Sequence, residues 1–190
     1  MIDLLTIRDY LDAPLRDEIV AQLRLASGEP ATVYGKEPAG AVEPLVRKVT
    51  RLTVPPGTRE RVMQQLLERK RSIEEHFGIT FGECEEPQFL RYEDGDYFVA
   101  HQDGNTPLIF DHTRHRKVSV VIFLNSQSQE PASDTYGGGA LVLHGSYDDP
   151  DFRLPVATEP GMLVAFPSDV THEVLPVTHG ERYTIVSWYR

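Results

Sequence analysis

Residues 160–177 read PGMLVAFPSDVTHEVLPV and alternate short apolar runs with turn-forming residues. Pro160 and Gly161 precede the apolar run Met162–Phe166, and a polar turn separates this run from His172–Val174. Short runs of β-branched and aromatic residues bounded by Pro, Gly, Ser and Asp are typical of β-strands. The stretch therefore predicts two strands joined by a turn.

The same pattern extends through the second half of the chain. It predicts further strands over Gln88–Tyr92, Tyr97–Ala100, Val118–Leu124, Ala140–Leu143 and Arg182–Tyr189. Turn-forming residues separate these runs, and no helix-length segment lies between them. Many short strands at this spacing favour a β-sandwich or barrel over a parallel α/β sheet.

One connection in this half is long and polar. Ser126–Tyr136 is rich in Ser and Gln and contains no apolar run. Long connections without secondary structure of their own are usually either functional or disordered. The stretch is therefore predicted to be a loop, either a lid or a disordered segment.

Helical signals dominate from Thr6 to about Ile79. Thr6 is a candidate cap for a first segment. Pro14 suits the first turn of a second segment, which Gly28 and Pro30 would end.

The clearest helix follows Thr58, which is predicted to be its N-cap. Gly78 is predicted to end this helix. The apolar stripe consists of Val62, Leu66, Leu67, Ile73 and Phe77. Between the helices, Thr32–Tyr34 and Val49–Val54 are either strands or extended linkers.

These patterns predict a mainly β protein with N-terminal helices, in the α+β class. The length of 190 residues suits one domain with a substantial core. We expect a single domain over residues 1–190, with a helical support region at 1–86 and a β core at 87–190.

The charge of the chain argues against nucleic acid as a partner. The formal net charge is -10, whereas phosphate binding requires a clustered basic face. The densest basic stretch, Arg114–Lys117, is mixed with His115 and is predicted to be a solvated loop.

Hydropathy and cysteine content indicate the cellular setting. No apolar run reaches the roughly 18 residues of a transmembrane helix, and residues 1–5 do not resemble a signal peptide. We therefore expect no membrane association. Cys84 is the only cysteine, which excludes an intrachain disulfide and a thiolate metal site and fits a cytoplasmic protein.

His101-Gln102-Asp103 is a candidate metal-binding triplet. At the end of a strand, residues i and i+2 project to the same face, so the imidazole and the carboxylate can meet one ion. His172 lies far along the chain, again in a β context. Two imidazoles and one carboxylate on one face of an ion leave other positions open, an arrangement associated with non-haem iron(II) oxygenases.

Other histidines compete for this role. His144, at the end of a predicted strand, is the strongest substitute for His172. The remaining candidates, each more typical of a surface or hydrogen-bonded histidine, are His76, His112, His115 and His179.

Arg182 opens the last predicted strand, ten residues after His172. A cation on a strand that enters an apolar core needs a partner, because burying an unpaired charge is costly. A dicarboxylate cosubstrate would supply one, since a guanidinium donates two charge-assisted hydrogen bonds to a carboxylate.

Several motifs occur in an order that resembles one enzyme family. They are Arg91-Tyr92-x-x-Gly95-x-Tyr97-x-x-x-His101-x-Asp103, Arg116-x-x-Ser119-x-x-x-x-Leu124-Asn125, Gly137-Gly138-Gly139-x-Leu141, Pro160-Gly161-x-Leu163-x-x-Phe166 with His172-x-Val174-x-Pro176-Val177, and Gly180-x-Arg182-Tyr183-x-Ile185-x-x-Trp188-Tyr189. Together they resemble the prolyl 4-hydroxylase-like branch of the iron(II)/2-oxoglutarate dioxygenases, including its oxygen-sensing prolyl hydroxylases. The similarity runs from about Phe89 to Tyr189, roughly half of the chain.

The resemblance implies a double-stranded β-helix (jelly roll, cupin-like) core packed on N-terminal helices. It implies that His101, Asp103 and His172 bind iron(II), that Arg182 grips the distal carboxylate of 2-oxoglutarate, and that Tyr92 lies near this cosubstrate. The expected enzyme uses 2-oxoglutarate and dioxygen to hydroxylate an unactivated C–H bond, releases succinate and carbon dioxide, and is stimulated by ascorbate.

One position departs from the family pattern. Phe123 stands where close relatives often carry a tyrosine that supports the cosubstrate carboxylate. Ser119 or Thr184 is the candidate for the missing contact.

Three functions remain open at this level. The favoured substrate is a prolyl residue of a peptide or protein; a free amino acid or small metabolite is the alternative. The third possibility is a non-catalytic jelly-roll binding protein. An exposed groove beside the metal would favour the first, and an enclosed pocket the second. No oligomeric state is predicted.

Overall fold

The computed structural model describes residues 2–33, 40–107, 109–145 and 149–190. Within these ranges the α-helices are Ala13–Leu25 (α1) and Pro56–Phe77 (α2), and a short 3-10 turn spans His112–His115. The strands are β1 (Leu5–Ile7), β2 (Gly28–Pro30), β3 (Arg47–Lys48), β4 (Thr50–Leu52), β5 (Gln88–Tyr92), β6 (Tyr97–His101), β7 (Val118–Phe123), β8 (Ser126–Gln127), β9 (Thr135–Gly138), β10 (Leu141–His144), β11 (Arg153–Pro155), β12 (Leu163–Pro167), β13 (His172–Val174), β14 (Val177–Gly180) and β15 (Arg182–Tyr189).

Two antiparallel sheets face each other. The larger has seven strands in the order β1-β12-β7-β15-β5-β4-β2, and the smaller has five in the order β11-β10-β13-β6-β3. A third sheet, β14-β9-β8, contains the parallel pair β8–β9. This arrangement agrees with the expected mainly β fold with N-terminal helices.

Strand β7 shows how the larger sheet acquires two buried faces. Val120 and Ile122 belong to the core beneath the helices, whereas Val121 and Phe123 belong to the core between the sheets. Successive side chains of a strand point to opposite faces. The polar Ser119 therefore points to the same side as Val121, into the space between the sheets.

The two helices cover the outer face of the larger sheet. Ile19 and Leu23 of α1 pack in one cluster with Leu66 and Ile73 of α2, and all four side chains are fully buried. Burial of each such side chain contributes roughly 1.5–3 kcal/mol. The helices thus close the core on the face opposite the smaller sheet.

The helix ends partly match the sequence signals. Pro14 lies in the first turn of α1 as predicted, and the Asp12 side chain accepts a hydrogen bond from the Leu15 N–H at 2.9 Å. Gly78 ends α2 as predicted, with φ of 64°, a left-handed conformation that glycine adopts without strain.

Other predictions about the helices were wrong. Thr6 caps no helix; it lies in β1, opposite Val164 of β12. Thr58 lies inside α2, which already begins at Pro56 because proline suits a first helical turn. The Thr58 hydroxyl instead donates to Gln22. Leu67 is 52% exposed, because it follows a buried residue directly and so points about 100° away from the stripe.

Strand prediction succeeded where the strands are apolar. Each of the seven strands predicted in the second half is present, with bounds that shift by at most one residue. The stretch Ser126–Tyr136, predicted as a loop, has β8 at its start and enters β9 at its end. Gln127 ties these ends together by donating to the Gly138 carbonyl at 2.6 Å. Short polar strands such as β8 have no alternation of apolar and polar residues, so the sequence does not predict them.

The two segments that the sequence left as either strands or extended linkers have different structures. Val49–Val54 contains the strand β4, which pairs with β5. In Thr32–Tyr34, Val33 forms an isolated bridge with Ala41, whereas Tyr34 lies outside the described residues. Gly28–Pro30, predicted to end α1, forms β2 after that helix has ended at Leu25.

The prediction of a solvated basic loop at Arg114–Lys117 was wrong for Arg116, which is 5% exposed. Its guanidinium donates to both carboxylate oxygens of Glu85, at 2.9 and 2.7 Å, and lies 3.6 Å from the ring centroid of Trp188. Arg190 donates to the same carboxylate at 3.0 Å. A bidentate partner and an aromatic face make burial of this cation possible.

Neither helix in the described part of the chain combines the length and the apolar character that crossing a lipid bilayer requires.

Replacing Glu85 with Gln should destabilise the fold strongly, because it leaves Arg116 buried without a counter-charge. We expect the free energy of unfolding to fall by about 3 kcal/mol, measured by urea denaturation. The matched control is Glu75→Gln, which removes an exposed partner of Arg71 and should change stability by less than about 0.5 kcal/mol. Equal effects of the two substitutions would contradict this account.

Candidate active site

The sheet register brings the predicted metal-binding residues together. β13 pairs with β6 so that His172 lies directly opposite His101. Asp103 follows β6, and its backbone N–H donates to the Ser168 carbonyl at 2.9 Å, in the turn between β12 and β13. One imidazole therefore comes from each strand, and the carboxylate is held beside them by the backbone.

The side chains converge on one point. His101 Nε2 lies 3.6 Å from Asp103 Oδ1, and His172 Nε2 lies 3.4 Å from Asp103 Oδ2. The ligand atoms of the three residues all lie within 4.8 Å of one another. Donor atoms of this type and spacing fit one metal ion, and three protein ligands leave coordination positions for small molecules.

Backbone carbonyls fix the orientation of both imidazole rings. His101 Nδ1 lies 2.8 Å from the Val99 carbonyl oxygen, and His172 Nδ1 lies 2.9 Å from that of Val170. Since a carbonyl can only accept, the proton of each neutral ring is on Nδ1. Each Nε2 lone pair then points toward Asp103, as metal binding requires.

The protonation states favour a metal. Burial, together with the neighbouring His172, lowers the pKa of His101 to about 4. Burial alone would raise the pKa of Asp103, but His172 and His101 hold it well below its usual range. Burial opposes the charge of His172, yet Asp103 raises its pKa above the usual value. A metal ion would therefore meet an ionised carboxylate and a neutral His101, and it would compete with a proton for His172.

Ser119 supports the carboxylate. Its hydroxyl donates to Asp103 Oδ2 at 2.7 Å and lies 2.9 Å from the Ser168 hydroxyl. Ser168 is fully buried and was missed by the sequence analysis, because a serine in a Pro-Ser-Asp turn has no distinguishing signal.

Arg182 lies on β15, the strand next to β7, and its charge has no ionic partner among the described residues. It is 1% exposed, lies opposite Tyr92 in the β15–β5 register, and its guanidinium carbon is 5.0 Å from the Tyr92 ring centroid. Its Nη1 reaches only the Thr184 hydroxyl, at 3.5 Å, and its Nε has no hydrogen-bond partner. No carboxylate in the described ranges pairs with it. A bound anion would stabilise a buried cation in this state.

Two cavities meet at His101 and Asp103, which line both of them. The inner cavity lies between the sheets and connects these residues and His172 with Tyr92, Arg182 and Thr184. The outer cavity, of about 260 Å³, runs from His101 and Asp103 to the surface. Its outer wall includes Phe110, which is 84% exposed.

Arg47 of β3 lines both cavities. The sequence analysis missed this residue, because it belongs to no motif and lies in the half of the chain where the family pattern is loose.

Three of the rival histidines have other partners. His144 Nε2 lies 2.9 Å from Glu173, and His76 Nε2 lies 3.0 Å from Asp3. His115 lies within hydrogen-bond distance of Arg114. Among the described residues, the only cluster of three potential ligands is the one formed by His101, Asp103 and His172.

Comparison with a family model links this site to known proteins. The model of the 2OG-Fe(II) oxygenase superfamily matches residues 87–190, which contain the three converging side chains and Arg182.

Sequence relatives carry related names. A PKHD-type hydroxylase from Shewanella sp. (strain MR-7) is 36% identical over 102 residues, which cover 54% of this chain and 41% of that protein. A PKHD-type hydroxylase from Xylella fastidiosa (strain M23) is 28% identical over 161 residues, which cover 81% of this chain and 66% of that protein. The chain thus spans about two fifths of the length of the first of these curated relatives.

Solved structures share the fold. A prolyl-4-hydroxylase from Pseudomonas putida superposes with a TM-score of 0.75 at 22% identity, covering 100% of this chain and 93% of that one. A prolyl hydroxylase from Trichoplax adhaerens, in complex with a hypoxia inducible factor peptide fragment, gives a TM-score of 0.71 at 17% identity, covering 100% of this chain and 84% of that one. At these identities the likeness concerns the fold, and it confirms the predicted double-stranded β-helix core.

Because the family model covers more than half of the chain, including all the converging side chains, this protein belongs to the 2OG-Fe(II) oxygenase superfamily.

Proposed function

We propose that the protein is an iron(II)- and 2-oxoglutarate-dependent dioxygenase that hydroxylates a prolyl residue of a peptide or protein, with release of succinate and carbon dioxide. The observation that carries this proposal is one continuous inner cavity with a three-ligand cluster and an unpaired buried Arg182. Neither feature stabilises the fold by itself, and together they suit a metal and a dicarboxylate.

His101, Asp103 and His172 would hold iron(II). The metal, when bound with 2-oxoglutarate and dioxygen, supplies the oxidation of an unactivated C–H bond. The chain itself fixes the ligand geometry, through the Val99 and Val170 carbonyls and the Ser119 hydroxyl. Ascorbate stimulation belongs to the same proposal, because this reductant keeps iron in the iron(II) state.

Arg182 would bind the distal carboxylate of 2-oxoglutarate. Thr184, on the same face of β15, is the best-placed substitute for the hydroxyl that Phe123 lacks, since its oxygen already lies beside the guanidinium. Tyr92 closes this end of the cavity. The hydrophobic surroundings exclude water and so strengthen the pairing of carboxylate and guanidinium.

Ser119 has two possible roles that exclude each other. A hydroxyl has one proton to donate, and Ser119 donates it to Asp103 at 2.7 Å. A contact to the cosubstrate would require this bond to break. We therefore favour the role of orienting Asp103.

The outer cavity suits an extended substrate. It opens to solvent between β6 and the segment around Phe110, where Val99 and Phe110 expose apolar surface. The name of the Pseudomonas putida neighbour and the peptide bound to the Trichoplax adhaerens neighbour favour a prolyl substrate in a peptide. Because the chain covers only 41% of the Shewanella relative, the substrate is a proposal for this chain.

The proposal also includes the role of residues 1–86, the partners and the cellular location. Residues 1–86 would support the catalytic core formed by 87–190, since α1 and α2 cover the outer face of the larger sheet. The acidic surface favours neither nucleic acid nor an anionic membrane as partner. The cytoplasm is the proposed location.

Anaerobic titration with iron(II) and then 2-oxoglutarate tests the proposed function. We expect a weak visible absorption band that requires both additions and is absent in His172→Ala, because this substitution removes a ligand. The control His144→Ala removes the strongest rival histidine, which pairs with Glu173, and should retain the band. A folded wild-type protein that binds metal but gives no band would contradict the assignment of 2-oxoglutarate.

Arg182→Gln should weaken 2-oxoglutarate binding by about 100-fold, because two charge-assisted hydrogen bonds are lost. Iron(II) affinity should be unchanged, and the protein should unfold at the same or higher urea concentration, since an unpaired buried charge is removed. Calorimetric titration and urea denaturation measure these effects. The control is Arg91→Gln, on β5 opposite Tyr183. A similar loss in this control would show that the effect is not specific to Arg182.

Ser119→Ala distinguishes the two roles of this hydroxyl. If Ser119 orients Asp103, iron(II) affinity should fall by about tenfold, while the dissociation constant of 2-oxoglutarate at saturating iron stays the same. Competition with a metal-chelating dye and calorimetry give the two constants. The reverse pattern would assign Ser119 to the cosubstrate.

A further inference from the structure

Arg47 is a second cation at the metal site whose charge has no partner. Its Nη1 donates to the Thr32 carbonyl at 3.0 Å, and its guanidinium carbon lies 4.8 Å from the ring centroid of Phe98. Its Nε is buried and has no hydrogen-bond partner. No carboxylate among the residues that the structure describes lies within ion-pair distance of it. Phe98 in turn stacks on the His101 ring, with centroids 3.5 Å apart.

The surroundings of Arg47 disfavour the positive charge of its guanidinium. Burial lowers the pKa of Arg47 below its usual value, and Tyr92 and Asp103 offset only part of this effect. A guanidinium in such a place gains more from an anion than one in water does.

The position of Arg47 separates it from Arg182. The outer cavity includes Arg47 but not Arg182, whereas both line the inner cavity. Arg47 therefore stands at the junction, next to the ligands and on the side from which a substrate would approach.

The formal charges of the proposed complex point to the class of ligand. Iron(II) and Arg182 together balance Asp103 and the 2-oxoglutarate dianion. Arg47 then adds one positive charge that no described residue neutralises. A substrate with one carboxylate beside the reacting carbon would complete the balance.

We propose that Arg47 binds a carboxylate of the substrate and thereby selects acidic substrates. The proposal rests on the proposed function, in that it assigns the outer cavity to the substrate. The carboxylate has two possible sources. It is either the carboxyl group of the hydroxylated residue itself, at the C-terminus of a peptide, or the side chain of an acidic residue next to it in the peptide.

Binding to the anaerobic complex with iron(II) and 2-oxoglutarate tests the proposal, with calorimetry as the readout. The first probe pair is N-acetyl-L-proline and N-acetyl-L-prolinamide, which differ only in the carboxylate. The second pair is the blocked peptides Gly-Pro-Asp-Gly and Gly-Pro-Asn-Gly. We expect the carboxylate member of at least one pair to bind about tenfold or more tightly than its neutral partner.

Arg47→Gln should abolish this preference, and Arg47→Lys, which keeps the charge, should retain part of it. The control Arg51→Gln makes the same change in charge at an exposed site on β4 and should keep the full preference. Preference in the first pair alone would identify the residue's own carboxyl group, and preference in the second would identify an acidic neighbour. No preference in either pair, no binding of any probe, or a preference that survives in Arg47→Gln would overturn the proposal.

Aerobic reactions with the same probes separate this proposal from the proposed function. Carboxylate preference without hydroxylated proline would contradict the prolyl substrate and still support the role of Arg47. Hydroxylation that is independent of the carboxylate and unchanged in Arg47→Gln would overturn the role of Arg47 and leave the proposed function standing.

Discussion

The pairing of β13 with β6 is the constraint on which the site depends. Directly opposite residues of an antiparallel pair have Cβ atoms about 5 Å apart, so the register His172–His101 places two imidazoles side by side. A slip of one residue would turn His172 to the other face of the sheet. Pairing of β13 with β10 on its other side, Leu141 opposite Val174, opposes such a slip, because the Val174 side chain would leave the core together with His172.

Three arginines of this acidic chain face aromatic rings, and they differ in their anionic partners. Among the described residues, Arg116 shows how a buried guanidinium is stabilised for structural purposes, with a bidentate carboxylate and an aromatic face. Arg182 and Arg47 have aromatic neighbours but no carboxylate. The charge of Arg182, which is 1% exposed, therefore costs folding free energy that a bound anion would recover. This difference separates functional from structural arginines by a physical criterion that residue type alone does not provide.

The sequence predicted the features that depend on local pattern. The apolar strands, the stop of α2 at Gly78 and the ligand spacing in His101-x-Asp103 all follow from residue type and periodicity. Polar strands such as β8 and the burial of Arg116 could not be predicted, because they depend on partners distant in the sequence. Thr58 illustrates the same limit at a helix start, where Pro56 begins the helix before the polar residue can cap it.

The location of the residues that the sequence did not predict bears on which substrates the protein accepts. Apart from Arg47, the polar residues of the inner cavity lie on or next to strands that carry the family motifs, and these residues were found from the sequence. The outer cavity takes Thr32, Val46 and Arg47 from the first half of the chain, and Phe110 from a connection between strands. The reaction common to a family needs only the residues of the inner cavity. Discrimination among substrates requires contacts beyond the reacting centre. The proposed selection of substrates by Arg47 would then act through a residue outside the family motifs, whose charge specifies a chemical group.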